Sequence, residues 1–524
     1  MASGERTVTF RVFSGLDQSR DEELLDMDAS PDCCNMSTEG GGLRVANGYR
    51  RFTKAALEGG IGSLGAFYRR ADGKQWILAA NAGGIWAYCG GKGYSEYDGD
   101  ADVQEAVSDA DAQSAAGADG KADAAGTGVD GNSRGWVRIY TPPANSDGSA
   151  GSMGEQVDFL NYQDAESDVV LIADGKGPVL KWIGEGVAAA REGVPKAFGQ
   201  LEVNYERVWG ACAPGEPDTL YYSRQFNIGD WTSAGEKDDP DEAGGFIMIP
   251  TWNGGRVNAL RTLFNDMVAF KDNDIYKVSG TYPGAYEVSR ITGVVGPIAA
   301  RTVVQHSTRV YFLGRDGLCV YDGLQAAALG DERAKGWFGR ISEGYEKLAC
   351  AIVHKQVMYI AMPVDGATHN NCVLEYDLRR STFMPRTGIA AAHWLKFGEK
   401  LLFAGGDGYL YEYGAGHTYD GKPIRAWWET PLMNMVESRH GGSGDRAVKQ
   451  LGELMAYGVG RVHIMATADA KQKQAELKLG DGIKRAKRRI NVRGRRFKLR
   501  LSNVDGLAFR IAGGLSVSVD VDED

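Results

Sequence analysis

The densest charge in the sequence is carried by Lys484, Arg485, Lys487, Arg488, Arg489, Arg493, Arg495, Arg496, Lys498 and Arg500, ten bases with no acid among them. The whole chain holds 69 acids against 59 bases, a net charge of −10, so this run is a local feature and not a bias of composition. Bases at such density can meet a phosphate backbone or the acidic face of another subunit. A solvated strand face and its loop would carry them equally well. Stacking on nucleic-acid bases calls for aromatic side chains interleaved with the charge. Phe497 alone is available, and its phase in the strand Arg493–Ser502 turns it inward, which favours a protein partner.

Other residues that could do chemistry are scattered. The seven histidines stand singly at 306, 354, 369, 393, 417, 440 and 463, with no pair at metal-ligand spacing. No G-x-S-x-G elbow, H-E-x-x-H pair or phosphate-binding P-loop occurs. Asp72-Gly73-Lys74-Gln75-Trp76 approaches a sialidase Asp box but has the wrong spacing. Asp-Gly pairs at 72, 174, 316, 365 and 407 fall between apolar runs, where both residues suit the positive φ angles of tight turns. Cys33-Cys34 has no second Cys or His pair nearby to complete a zinc site. The carboxylates of Asp98, Asp100 and Asp102 have calcium-loop spacing but lack Gly at the sixth position and Glu at the twelfth. In a strand, Trp427 and Trp428 face opposite sides, so at most one could stack on a sugar. The expectation is a protein that is not an enzyme, with no catalytic residue, metal or cofactor.

The elements that would position these residues are short strands. Glu399–Gly414, EKLLFAGGDGYLYEYG, is an apolar run, a Gly/Asp turn and an aromatic run, the pattern of a β-hairpin. Arg309–Gly323 repeats it, and Gln75–Gly90 does so more loosely. Hairpins recurring in this way predict an all-β fold, a β-propeller of about seven blades, with six also fitting. Residues 56–422 form the propeller. In the first blade the strands are Leu64–Tyr68, Gln75–Ala80, Ile85–Tyr88 and Gly93–Tyr97, and the second opens at Trp136–Tyr140. Between them 98–134 is an insertion rich in Ala, Asp and Gly, with nine acids against two bases and too little apolar surface to bury a core. Residues 1–55 are an arm placed to close the last blade. Residues 423–524 read as a C-terminal β-sandwich of alternating strands, among them Gln450–Tyr457, Gly460–Thr467, Gln474–Leu479 and Arg493–Ser502.

At 524 residues the chain has ample length for a large core, and 72 glycines suit many tight turns. Seven cysteines without regular spacing make no disulfide framework. No apolar stretch is long enough to span a membrane, and synthesis in a reducing cytoplasm is expected.

Taken together, Phe13-Ser14-Gly15-Leu16, Pro31-Asp32-Cys33 and Asn47-Gly48-Tyr49-Arg50-Arg51-Phe52 at the start, the chain of hairpins, and Trp428-Glu429-Thr430-Pro431 with Arg495–Asn503 at the end resemble structural tail proteins of tailed bacteriophages. In architecture the resemblance is to the propeller-bearing tail nozzle and DNA-stabilisation proteins of short-tailed phages. It implies a virion protein, made in the host cytoplasm, that forms a homo-oligomeric ring, a hexamer foremost. The ring would lie below the portal and its adaptor, touch adjacent tail proteins and let genome DNA pass without sequence-specific binding or membrane insertion. The resemblance supplies no catalytic residue. A carbohydrate- or receptor-binding propeller of the tail and a polysaccharide-acting propeller hydrolase are the alternatives from other classes.

Overall fold

The computed structural model describes residues 6–89, 135–164, 167–235, 239, 241–250, 255–292, 296–329, 332–435 and 447–521. The fold is all-β, a seven-bladed β-propeller with a C-terminal β-domain, and its one described α-helix is the four-residue Lys335–Phe338. The chain divides into two compact units, Arg51–Gly296 with Leu395–Tyr411, and Met1–Arg50 with Pro297–Trp394 and Glu412–Asp524.

The first unit holds four complete blades, each an antiparallel meander of four strands in chain order. Their second strands read Trp76–Ala80, Val169–Ala173, Arg207–Ala211 and Met267–Lys271, buried at every residue. Apart from Arg207 and Lys271 at their ends these are continuous apolar runs without polar alternation, which is what a strand needs when both of its faces are covered by protein. First strands of successive blades lie against one another: Asn161 Nδ2 donates to Ala66 O at 2.7 Å, and Thr262 Oγ1 donates to Val203 O at 2.7 Å. Between the first two blades Phe67, Trp76 and Trp182 meet with ring centroids 5.4 to 5.7 Å apart.

One boundary differs from the sequence reading. The strand Gly135–Tyr140 is the fourth of the first blade, with Trp86 opposite Arg138 and Tyr88 opposite Trp136, and does not open the second. The expected strand Gly93–Tyr97 and the insertion 98–134 lie outside the described residues. An acidic segment placed inside a hairpin separates two paired strands in sequence, and adjacency then assigns the later one to the wrong blade. The second blade instead ends with Ala189–Ala190, a strand exposed at both residues and too short to show alternation.

In the second unit the fifth blade comprises Val304–His306, Arg309–Gly314, Gly317–Tyr321 and Ala326–Ala328, and the sixth Cys350–His354, Val357–Met362, Cys372–Asp377 and Thr382–Thr387. Gly15–Leu16 and Ala29–Ser30 from the arm extend the sixth sheet. The seventh blade is not confined to this unit; its strands are His393–Phe397, Lys400–Ala404, Leu410–Tyr413 and, from the arm, Tyr49–Arg51. Within the first unit Phe52 N donates to Leu410 O at 2.7 Å, and within the second Gly414 N donates to Gly48 O at 2.9 Å.

The expected C-terminal β-sandwich is met in part, since its strands lie in one nine-stranded sheet that nearly closes on itself. Its path runs Cys33–Cys34, Trp427–Glu429, Phe497–Asn503, Lys449–Ala468, Arg510–Val521, Leu43–Val45, Met36–Ser37, with Arg6–Phe10 beside Arg510–Val521 and Lys471–Gly494 beside Lys449–Ala468. The path begins and ends on strands separated only by Asn35, so the sheet is nearly closed. Four of the arm's seven described strands therefore serve this sheet, and 423–524 do not complete it alone.

Candidate docking surface

The strand Lys449–Ala468 spans two stretches that alternation alone reads as separate strands. It pairs with Lys471–Gly494 along its length, while its other edge is shared by Arg510–Val521, from Lys449 to Val459, and Phe497–Asn503, from Val462 to Ala468. The change of partner falls at Gly458 and Gly460. A Cβ on Gly458 would stand 1.9 Å from Arg510 O, and Gly460 has φ 88°. Here Gly458 lies opposite Lys484 and Gly460 opposite Gly480, so Asp481, Gly482 and Ile483 bulge against Val459 alone. Ile483 is left 65% exposed. Among the described residues Lys471–Gly494 pairs with no other strand, so its second edge is open.

Six of the ten bases, Lys484, Arg485, Lys487, Arg488, Arg489 and Arg493, sit on this edge strand. Arg495 and Arg496 occupy the bend that follows, and Lys498 and Arg500 lie on Phe497–Asn503. Register assigns faces. Lys484 and Arg488 lie opposite Gly458 and Leu454, on the side where Leu454 and Ala456 are buried, whereas Arg485, Lys487 and Arg489 lie opposite Tyr457, Met455 and Glu453. The bases thus project from both faces.

The structure does not keep the ten together as one free surface. Arg496 is paired with Glu23, Lys498 Nζ lies 2.7 Å from Glu22 and 3.1 Å from Glu429, and Arg500 lies 2.6 Å from Glu429 and 3.7 Å from Asp32. Burial pulls the Lys498 ammonium down, but Glu22 and Glu429 outweigh it and its pKa is raised. Burial raises the Asp32 carboxyl, against the hydrogen bond donated by Trp427 Nε1 at 2.8 Å. Arg496, Lys498 and Arg500 therefore clasp the arm internally. Lys487 pairs with Glu453. Lys484, Arg488, Arg489 and Arg495 make no ion pair among the described residues, and the exposed part of the surface centres on Gly480–Arg489. Sequence reasoning missed Glu22, Glu23, Asp32 and Glu429; the signal available was the acid-rich start of the arm.

Residues singled out for other chemistry are occupied structurally. Trp428 is buried and meets Phe13 edge-on at 5.5 Å, while the ring of Trp427 lies under the Arg500 guanidinium at 5.0 Å. Asp407 accepts hydrogen bonds from Tyr409 N at 3.3 Å and from the Tyr411 hydroxyl at 2.5 Å. Asp174 holds its turn through Lys176 N and Gly177 N at 3.0 and 2.8 Å. Two carboxylates on the first strands of successive blades, Asp158 and Glu202, have pKa values raised by burial. Asp158 accepts from Leu201 N at 2.8 Å, and Glu202 lies 4.0 Å from Arg261, so both tie neighbouring blades. Cys33 and Cys34 are buried free thiols, and among the described residues no group of three or more His, Cys, Asp or Glu could hold a metal. No helix among them is long and apolar enough to cross a membrane.

The class of protein defined by these sheets is the β-propeller. No protein-family model matches the chain, and no curated protein matches it in sequence. It is similar to the WD40 domain of Neurospora crassa Pan2 (TM-score 0.39, 9% identity, 70% of this chain and 96% of that one). It is also similar to BamB from Moraxella catarrhalis (TM-score 0.36, 9% identity, 80% and 98%) and to the computationally designed protein Ika8 (TM-score 0.36, 11% identity, 70% and 99%). At such identities the likeness is one of fold alone.

Proposed function

We propose that this chain is a non-catalytic structural protein of a bacteriophage tail, a subunit of a ring below the portal and adaptor that lines or seals the DNA exit channel. The observation that carries the reading is the open, basic edge Gly480–Arg489 on a chain of net charge −10, a surface suited to an acidic neighbour in an assembly. A propeller supports the role because its blades leave few exposed sheet edges and give a rigid body on which to mount such a surface. Excess acid elsewhere would repel a passing genome rather than hold it. Negative-stain imaging of the purified chain, alone and with tails of the phage that carries it, tests the proposal. Closed rings matching the tail diameter are expected, and a persistent monomer that binds nothing in the particle would overturn it.

A further inference from the structure

We infer that the open edge of Lys471–Gly494, over Gly480–Arg489, receives an extended acidic segment of another protein as an added β-strand. The inference deepens the docking role proposed above and rests on it for its setting, though not for its chemistry.

The first argument is the backbone. This strand bonds to Lys449–Ala468 on one side only, and every residue from Gly480 to Arg489 except the half-buried Ala486 is exposed. An unpaired edge presents alternating N–H and C=O groups, which another strand satisfies one for one. The second argument is charge. Lys484 and Arg488 project from one face and Arg485 and Arg489 from the other, so a strand laid alongside meets bases whichever way its side chains point. Acids on both faces of the incoming strand complement them. A second copy of this edge does not, because pairing would set base against base across the new ladder, and like charges directly opposite destabilise a sheet. The third argument is the bulge at Asp481-Gly482-Ile483, which leaves Ile483 65% exposed as an apolar anchor within the basic stretch. A phosphate backbone would use the charges but leave the amides, carbonyls and Ile483 without partners. Bases of this density on an edge also serve simply to prevent unwanted pairing, and the experiment separates the two roles.

The full chain is titrated, at low salt, with three fluorescent probes: a short synthetic peptide of repeating Glu-Glu-Val, the same peptide N-methylated at alternate residues, and an oligo-dT. Saturable binding of the plain peptide is expected, weakened roughly tenfold or more both by N-methylation and by Arg488→Glu with Arg489→Glu. Hydrogen exchange should slow specifically at 480–489. Equal binding of the N-methylated peptide would reduce the surface to charge alone. Tighter oligo-dT binding lost in the same variant would reassign it to nucleic acid, and no peptide binding would leave the edge merely protective. Any of these three overturns the inference. Rings that form while the peptide stays silent defeat this inference only, whereas a monomer that binds the peptide defeats only the tail-ring reading.

Discussion

Tyr419 donates its hydroxyl hydrogen to Asn35 Oδ1 across 2.8 Å in a buried setting. Asn35 is the residue between the two end strands of the nearly closed sheet, and it sits at φ 55°, a left-handed conformation that Asn tolerates better than most side chains. Its Oδ1 also accepts from Thr387 N at 3.1 Å, while Nδ2 donates to Arg425 O at 2.8 Å and to Thr387 Oγ1 at 3.3 Å. One side chain thus fastens the arm, the sixth blade and the segment leading to Trp427.

Replacing Asn35 by Ala orphans buried donors and acceptors and keeps a Cβ in the left-handed region. Each orphaned group costs about 1–3 kcal/mol, and the conformation adds about 1 kcal/mol. The Asn35→Ala protein should therefore lose at least about 2 kcal/mol in urea unfolding followed by tryptophan fluorescence. A loss under about 0.5 kcal/mol would show that the network does not hold the closure.

Arg386 is buried beside the same closure, donating to Met36 O and to Glu375 Oε2, each at 2.6 Å, and Tyr413 donates to Glu375 Oε1 at 2.7 Å. Breaking a buried pair strands one charge, whereas replacing both partners by apolar residues strands none. Glu375→Leu alone should cost about 3–5 kcal/mol, and adding Arg386→Met should restore part of that loss. Additive losses in the double-mutant cycle would mean that the two side chains act independently.

His393 yields a pH dependence. Burial, then the nearby Arg301, pushes its imidazole down to about 3 from 6.5, and with Nδ1 protonated the neutral ring donates to Trp394 O at 2.9 Å. Between those two values the unfolded chain binds a proton that the folded chain refuses. Stability is therefore intact above pH 6.5 and falls as the pH drops through this window, by at most about 1.4 kcal/mol per pH unit from this residue. His393→Gln should flatten that part of the urea-midpoint profile. A profile of unchanged slope would place the titration elsewhere.

Much of the propeller was legible because a strand covered on both faces reads as a continuous apolar run, and Trp76–Ala80 and Val169–Ala173 are such runs. The first blade's fourth strand was not, since Gly135–Tyr140 is paired with a strand from which an acidic insertion separates it. Nor was the long strand Lys449–Ala468, because Gly458 and Gly460 look like a turn in sequence and serve instead as the place where one partner strand gives way to another. The basic run was legible as charge. Its division into an exposed edge and an internal clasp depended on Glu22, Glu23 and Asp32, which lie more than 400 residues away from their partners, and no local pattern reports a contact of that range.

That clasp gives the arm a testable duty. Removing residues 1–55 takes away four strands of the C-terminal sheet, Arg6–Phe10, Cys33–Cys34, Met36–Ser37 and Leu43–Val45, and leaves Arg496 and Lys498 without Glu23 and Glu22. It also removes Phe52 and Thr53, whose backbone N–H and hydroxyl oxygen bond Leu410 O and Leu410 N. Regions that lose their partners open first, while regions whose neighbours are intact keep their protection. Hydrogen exchange on the truncated chain should therefore show faster exchange at Trp427–Glu429, Phe497–Asn503 and Leu410, with Val169–Ala173 little changed. Unchanged protection at both Leu410 and Leu499 would mean that the arm is an addition to a sheet and blade already stable without it.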